Sequence, residues 1–392
     1  MLRGFTFSLT GNARPGNVEE YRRAAMNRLP KLAEAYVDNG AEDENTLAAN
    51  RHAFSRWSLR QRVLHGVTFP KLSTTVAGLD IALPVMGAPT GFSALTNWRG
   101  DVAVARGAER AGTRLILSTA SSHSIEEVAE AAQTDHAFQL YPFGDHAFAD
   151  GLMGRARAAG YKALFVTVDV PVKGNRDRER RSGLNIPPTI SLPTALNCAL
   201  HPRWTYNLLR HQRLGAANYA GRGRLSSKEM LETLQRQERH MQSDLHWDDV
   251  AWMRERWNGP FYLKGVMDPE DAVHAVDKIG VTGLVVSNHG GRQLDGAQGS
   301  LDALDAIGRE LANRTELILD GGVRRGTDVI KALCLGAKAV LIGRPYLYGL
   351  AVGGEDGVAA IFEIFRDEME RALTLMGCPD IARLDRSWLL PA

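Results

Sequence analysis

Cysteine is scarce in this chain: 392 residues contain three, Cys198, Cys334 and Cys378. None falls in a C-x-x-C pair, so neither a disulfide framework nor a zinc site is indicated, and no metal is expected. The compartment reads as reducing and cytoplasmic. An excess of one charge is also missing, because the formal net charge is +2, which gives no general reason to invoke nucleic acid. No apolar run reaches the roughly 18 residues of a membrane span, and the opening MLRGFTFSLTGNARPGN lacks a signal-peptide core. No G-x-G-x-x-G follows the first strand-like run, which argues against a Rossmann dinucleotide site.

What the chain does have is a repeated alternation of short apolar runs and amphipathic stretches. Eight runs are short enough to be buried parallel strands: Pro84–Thr90, Arg114–Ala120, Ala137–Tyr141, Ala163–Asp169, Phe261–Val266, Gly283–His289, Glu316–Gly322 and Ala339–Pro345. Their alternation with helical segments predicts an α/β fold, a (β/α)8 TIM barrel in a single domain over residues 1–392. Residues 1–83 form an N-terminal helical extension, 84–345 the barrel and 346–392 C-terminal helices. The extension is helical from Asn17, a cap, towards Asn50, with Gly40 able to end a run. About 90 residues separate the fourth and fifth runs, far more than a βα loop and its helix need, so an insertion is expected after strand four, over 176–245.

The insertion opens with the charge run Arg176–Arg181, passes through Pro187-Pro188 and continues as HPRWTYNLLRHQRLGAANYAGRGRL. It is basic, aromatic and glycine-rich. Two readings stand, a loop capping the barrel mouth and a patch that touches an anionic membrane surface, which would make the protein peripheral at the inner face of the cell membrane. No DNA-binding motif accompanies it.

Barrel enzymes draw catalytic groups from the C-terminal ends of strands. Here those ends carry Gln139 and Tyr141, Thr167 and Asp169, Lys264, then Ser287, Asn288 and His289. One such residue is usually a helix cap, but four successive polar strand ends exceed what capping explains. In SNHGGRQLDG, the Gly290-Gly291 pair would let backbone approach a ligand, and Arg292 offers a planar fork for a carboxylate beside a histidine base. In DGGVRRG, which begins at Asp320, and in IGRP, the residues Gly322, Arg324, Gly343 and Arg344 suit a phosphate at the loops after strands seven and eight.

SNHGGRQLDG, DGGVRRG, the Lys264-Gly265 pair and TVDVP resemble the FMN-dependent L-2-hydroxy acid oxidases and dehydrogenases over nearly the whole chain. The resemblance implies FMN and a small L-2-hydroxy acid substrate. It implies His289 as base with Asp169 stabilising the imidazolium, Arg292, Tyr36 and Arg176 on the substrate carboxylate, and Tyr141 on the hydroxyl side. Lys264 would lie at the N1–C2=O edge of the flavin. Gln139, Thr167, Ser118, Ser287 and the Pro89-Thr90-Gly91 backbone would hold the ring, with Asp320 on the cofactor side as well. A homotetramer is implied too. Ala120 stands where plant glycolate oxidases carry Trp, which widens the pocket. Gly91, Ala120 and LHPRWTYNLLRH resemble the mandelate dehydrogenase branch, whose insertion is associated with membrane attachment, and the HP-x-W element and KG-x-x-DPEDA are shared with bacterial L-lactate dehydrogenases. These features favour a quinone or similar acceptor, the alternative being an oxygen-using, peroxide-producing oxidase or a lactate-monooxygenase-like enzyme. Pro142-Phe143-Gly144 departs from the family's apolar run, and its aromatic would either pack on a substrate ring or close the loop.

Overall fold

The computed structural model describes residues 14–142, 146–184, 189–213, 215–219 and 244–392. Eight parallel strands, each followed by helix, form its centre: β1 (Val85–Gly87), β2 (Ile116–Ser118), β3 (Ala137–Leu140), β4 (Ala163–Thr167), β5 (Phe261–Val266), β6 (Gly283–Val286), β7 (Glu316–Asp320) and β8 (Ala339–Ile342). They pair in the order β1-β8-β7-β6-β5-β4-β3-β2. A parallel bridge from Gly87 to Leu115 brings the two edges together and nearly closes the sheet into the expected barrel. Most expected strands ran two or three residues too far at their C-terminal ends; the sixth stops at Val286 and the seventh at Asp320. The polar residues beyond these points have left the ladder for the loops that build the site.

Alternation along each strand divides the core. Ala163 and Phe165 of β4, and Ala339 and Leu341 of β8, point into the barrel, while Leu164, Val166, Val340 and Ile342 pack outward under the helices. Large interior rings alternate with alanines, as a narrow barrel requires. Phe165 stacks on Tyr262 with ring centroids 4.6 Å apart. A hairpin of Thr74–Val76 and Leu79–Ile81 closes the floor by adding Val76, Leu79 and Ile81 to the interior cluster.

Among the described residues the N-terminal extension has three α-helices, Val18–Met26, Lys31–Asp38 and Asn45–His52, but it is not helical throughout as expected: the strand Trp57–Leu59 and the hairpin follow them. Asn17 does cap the first, accepting from Glu20 N at 3.0 Å. Pro30 breaks the run because it has no N–H to donate into a continuing helix. The third helix reaches the barrel mouth. Its buried Asn50 exchanges amide hydrogen bonds of 2.8 Å with Asn288, and its Oδ1 also accepts from Ser300 N at 2.9 Å. The Asn50 carbonyl lies so close above Gly322 that a Cβ there would collide with it.

The C-terminal segment corrects the expectation of helices throughout. One long helix, Arg344–Met376, kinks at Gly354, and short 3-10 turns then lead to a strand, Leu389–Pro391, antiparallel to Trp57–Leu59. The insertion after β4 is helical where it is described, over Asp177–Ser182, Leu192–Ala199 and Pro202–His211. It rejoins the barrel at buried Asn218, whose Nδ2 donates to Ser121 Oγ at 2.9 Å and whose Oδ1 accepts from Ile125 N at 2.9 Å. Residues 1–13, Pro187-Pro188, 220–243 and Phe143-Gly144, on which several expectations fall, lie outside the described residues.

Asn50→Ala would leave the Ser300 N–H without its acceptor and take one of two partners from each end of the buried Asn288 amide, which keeps Gln298 O and Gly291 N, at about 1–3 kcal/mol per unmet group. The expected outcome is a loss of about 2–4 kcal/mol in unfolding free energy, read as a lower midpoint in denaturant titration. A shift below about 0.5 kcal/mol would show that the clasp contributes little.

Candidate active site

At the C-terminal ends of the strands a cavity of about 800 Å³ is lined by Tyr36, Ala88–Phe92, Ala120, Tyr141, Arg176, Lys264, His289, Arg292, the turn from Asp320 to Arg324, and Gly343-Arg344. His289 enters it with φ of 58°, in the left-handed region, and Gly290 and Gly291 follow at 66° and 75°. Such a backbone is costly for a residue with a Cβ and holds only where neighbours enforce it. Here they do. A Cβ on Gly291 would stand 2.6 Å from Leu47 N, and one on Gly290 would stand 3.0 Å from the Arg344 guanidinium. The glycine pair thus admits the third helix and Arg344, a packing reason where the sequence suggested ligand approach.

His289 Nδ1 lies 3.1 and 3.2 Å from the two oxygens of Asp169. The carboxylate accepts from Nδ1–H, which leaves the Nε2 lone pair facing Tyr141 OH at 3.5 Å. Burial lowers the His289 pKa below its ordinary value against the opposing pull of Asp169, so the imidazole is neutral at neutral pH. Burial alone would raise Asp169; the hydrogen-bonded His289 and the nearby Lys264 bring it below the usual carboxylate value. Asp169 also rests on Gly265, whose φ is 111° and where a Cβ would meet Asp169 Cβ at 2.5 Å. That contact explains the glycine after Lys264.

A second group gathers around Arg292. Its Nη1 donates to Tyr36 O at 2.8 Å and Asn39 Oδ1 at 2.7 Å, its Nη2 donates to Glu179 Oε1 at 2.7 Å, and its guanidinium lies 5.1 Å from the Tyr36 ring centroid. Arg176 Nη1 approaches the same Glu179 oxygen at 3.5 Å. Tyr36 OH donates to Gly91 O at 2.9 Å, and burial pushes its pKa up to about 12. Burial likewise raises Tyr141, helped by Asp169, so both phenols stay protonated donors.

On the far side Lys264 Nζ pairs with Asp320 Oδ2 at 2.9 Å and donates to Ser287 Oγ at 3.0 Å. Burial opposes its charge, but Asp320 and Asp169 prevail and raise its pKa, so it stays cationic. Ser118 Oγ donates to Gln139 Oε1 at 3.0 Å, while Gln139 Nε2 and Thr167 Oγ1 are buried with no partner. Thr90 Oγ1 is 2.6 Å from Tyr346 OH. Arg344 donates to Gly290 O at 3.0 Å and Asn39 O at 2.7 Å; burial and then Arg292 lower it to about 10, and its Nε has no partner. Arg324 Nη1 donates to Val323 O at 2.8 Å.

The sequence-predicted residues therefore converge. Pro89, Thr90, Gly91, Asp320, Gly322 and Gly343 line the cavity itself, whereas Asp169, Ser118, Gln139, Thr167 and Ser287 stand just behind its wall. Sequence reasoning missed Glu179, Asn39 and Asn50. Glu179 was hidden in a charge run read as surface, although its spacing of three from Arg176 fits one helix face. Asn39 and Asn50 act across more than two hundred residues of chain and left no local signal.

The family model for FMN-dependent dehydrogenase matches residues 25–391. The chain belongs to that family. It is 41% identical to the L-lactate oxidase of Nostoc sp. over 97% of this chain and 100% of that protein. It is also 41% identical to the L-lactate dehydrogenase of Caulobacter vibrioides, over 94% of this chain and 96% of that one. A crystal structure of the monotopic membrane protein (S)-mandelate dehydrogenase superposes with a TM-score of 0.92 at 36% identity, covering 97% of this chain and 100% of the other. The family's cofactor is FMN, and the residues present fit it. Two unpartnered buried polar groups, Gln139 Nε2 and Thr167 Oγ1, and the cationic Lys264 suit the polar edge of an isoalloxazine.

A base must be unprotonated, so with His289 in that role a lowered pKa would carry activity to lower pH. In the holoenzyme, kcat/KM is expected to hold through neutrality and to fall on acidification only below the ordinary histidine value of about 6.5. His289→Gln should retain FMN and lose that limb together with at least about 100-fold in anaerobic flavin reduction. Near-normal reduction in this variant would remove His289 from the chemistry.

Proposed function

We propose that this protein oxidises an L-2-hydroxy acid of the lactate or mandelate type to the 2-oxo acid and passes the electrons to a quinone or similar acceptor at a membrane surface. Bound FMN would supply the two-electron redox chemistry at the substrate α-carbon. His289 Nε2 takes the substrate proton, and Asp169 compensates the imidazolium charge that results. Tyr141 holds the hydroxyl side, while Arg292, Arg176 and Tyr36 orient the carboxylate. Pro89, Thr90, Gly91, Ser118, Gln139, Thr167 and Ser287 would hold the ring, with Lys264 and its partner Asp320 at the N1–C2=O edge. Gly322, Arg324, Gly343 and Arg344 would hold the phosphate, the unpartnered Arg344 Nε being one donor still to be used.

The observation that carries the choice of acceptor is the character of the cavity mouth. Ile190, Cys198, Leu208 and Leu209 of the insertion line it. The two helices Leu192–Ala199 and Pro202–His211 bury no residue, and Leu192, Leu196, Leu200, Tyr206 and Leu209 are between 59% and 77% exposed. Apolar residues of this number with Arg203 and Arg210 among them suit an anionic bilayer surface. No helix among the described residues is long and apolar enough to cross a membrane. Similarity to a monotopic membrane protein supports the same reading. Oxygen as acceptor is the second reading, favoured by the likeness to an L-lactate oxidase.

Substrate-reduced enzyme is expected to be reoxidised at least about tenfold faster by a short-chain quinone than by air, a difference of about 1.4 kcal/mol in barrier. One peroxide per substrate, at an air rate equal to or above the quinone rate, would decide for the oxidase. Separately, the double change Leu192→Glu and Leu196→Glu should abolish sedimentation with phosphatidylglycerol vesicles while anaerobic flavin reduction persists. Failure of the native protein to sediment with those vesicles would reject the membrane reading.

A further inference from the structure

Glu179 is a buried acid that neither the proton transfer nor substrate binding calls for. It lines the cavity with its side chain only 4% exposed, and its carboxylate is shared between Arg292 at 2.7 Å and Arg176 at 3.5 Å, with Lys173 Nζ at 3.8 Å. Burial by itself would raise its pKa; Arg292, Arg176 and Lys173 prevail and hold it ionised. Arg176, in turn, is lowered by burial and by the neighbouring Arg292, as two guanidiniums crowded into one dry site require. Without a substrate carboxylate, then, the two arginines are already bound to a carboxylate of the chain itself.

We propose that Glu179 is an internal competitor for the carboxylate site, which weakens the hold of Arg292 and Arg176 on the substrate and on the 2-oxo acid product so that the product can leave. This inference rests on the reading of those arginines as the carboxylate clamp. Two guanidiniums alone in a buried pocket would present two positive charges to a ligand carrying a single negative one, and substrate and product carry that charge equally. Uniform binding of both lowers KM without helping the chemical step and slows release. A fixed carboxylate between the arginines cancels one of those two charges, with the more exposed Lys173 3.8 Å from it. It also fixes Arg292 through Nη2 while Asn39 and Tyr36 fix it through Nη1, so the fork keeps one orientation. Glu179 is thus a positioning residue whose charge tunes affinity. It sits on the helix Asp177–Ser182 that opens the insertion, so the clamp and the insertion share one short element.

Glu179→Gln keeps the shape and one acceptor for Arg292 but removes the charge. In the FMN-loaded full chain, equilibrium binding of pyruvate and of phenylglyoxylate, read from the flavin absorbance change, is expected to tighten about tenfold, which is about 1.4 kcal/mol. Their methyl esters, which carry no carboxylate charge, should bind as they do to the native protein; a general loosening of the site would alter acids and esters alike. Glu179→Asp, which withdraws the charge by one methylene, should tighten acid binding by about two- to threefold and serves if the amide variant fails to fold. Unchanged or weaker binding of both acids in the variant that folds would overturn the proposal. If neither acid perturbs the flavin of the native protein, it is the assignment of the carboxylate site that fails.

Discussion

Burying an ionised carboxylate is expensive, and Asp169 is buried because an imidazole lies against it and a lysine stands behind. Most of the site follows from meeting that requirement. His289 must leave β6 with a left-handed backbone to bring Nδ1 onto Asp169, and the two glycines after it let the third helix close against the turn. Gly265 must lack a side chain for Asp169 to lie across it. Lys264 is held cationic by Asp320, so the charges alternate from Asp320 through Lys264 to Asp169, which accepts in turn from the neutral His289. With Nδ1–H committed to Asp169, the other nitrogen has one role left to it, that of an acceptor facing the cavity.

The fold was legible because period-2 burial and βα alternation are written locally: each strand is a short run whose neighbours in sequence say where it turns. Strand ends were less legible, since Ser287 and Asn288 continue an apolar run in sequence but turn out of the ladder in space. His289, Asp169 and Arg292 could be singled out because a polar residue at a barrel strand end has a known direction to face. Their partners could not. Asn39, Asn50 and Glu179 lie in segments that read as helix end, helix interior and charged surface, and only the folding of the N-terminal extension and the insertion over the barrel mouth brings them to the site. The packing side of Gly291 and Gly322 was hidden for the same reason, because the chain's own third helix approaches both.

The two arms that cover the mouth contribute differently. The N-terminal extension supplies hydrogen bonds to fixed groups, as with Asn39 on Arg292 and Arg344 and Asn50 on Asn288, and it is well packed. The insertion supplies Arg176 and Glu179 to the cavity and Asn218 to the barrel wall, and over Leu192–Ala199 and Pro202–His211 it turns apolar residues outward. One arm is therefore scaffold, and the other faces both the cavity and whatever lies outside the protein.

The pairing of β1 with β8 has a consequence for how this molecule comes into being. Val85 is registered against Val340, so the ladder that closes the barrel joins residues about 250 positions apart. During synthesis at about 5–20 residues per second, β1 emerges on the order of ten seconds or more before its partner exists. Throughout that interval Val85 and Met86 lack the partners Val340 and Leu341 and present an open strand edge. The nascent chain is thus most exposed to mispairing at the first strand of its barrel, and protection there during translation would bear on the yield of active protein more than stability of the finished fold.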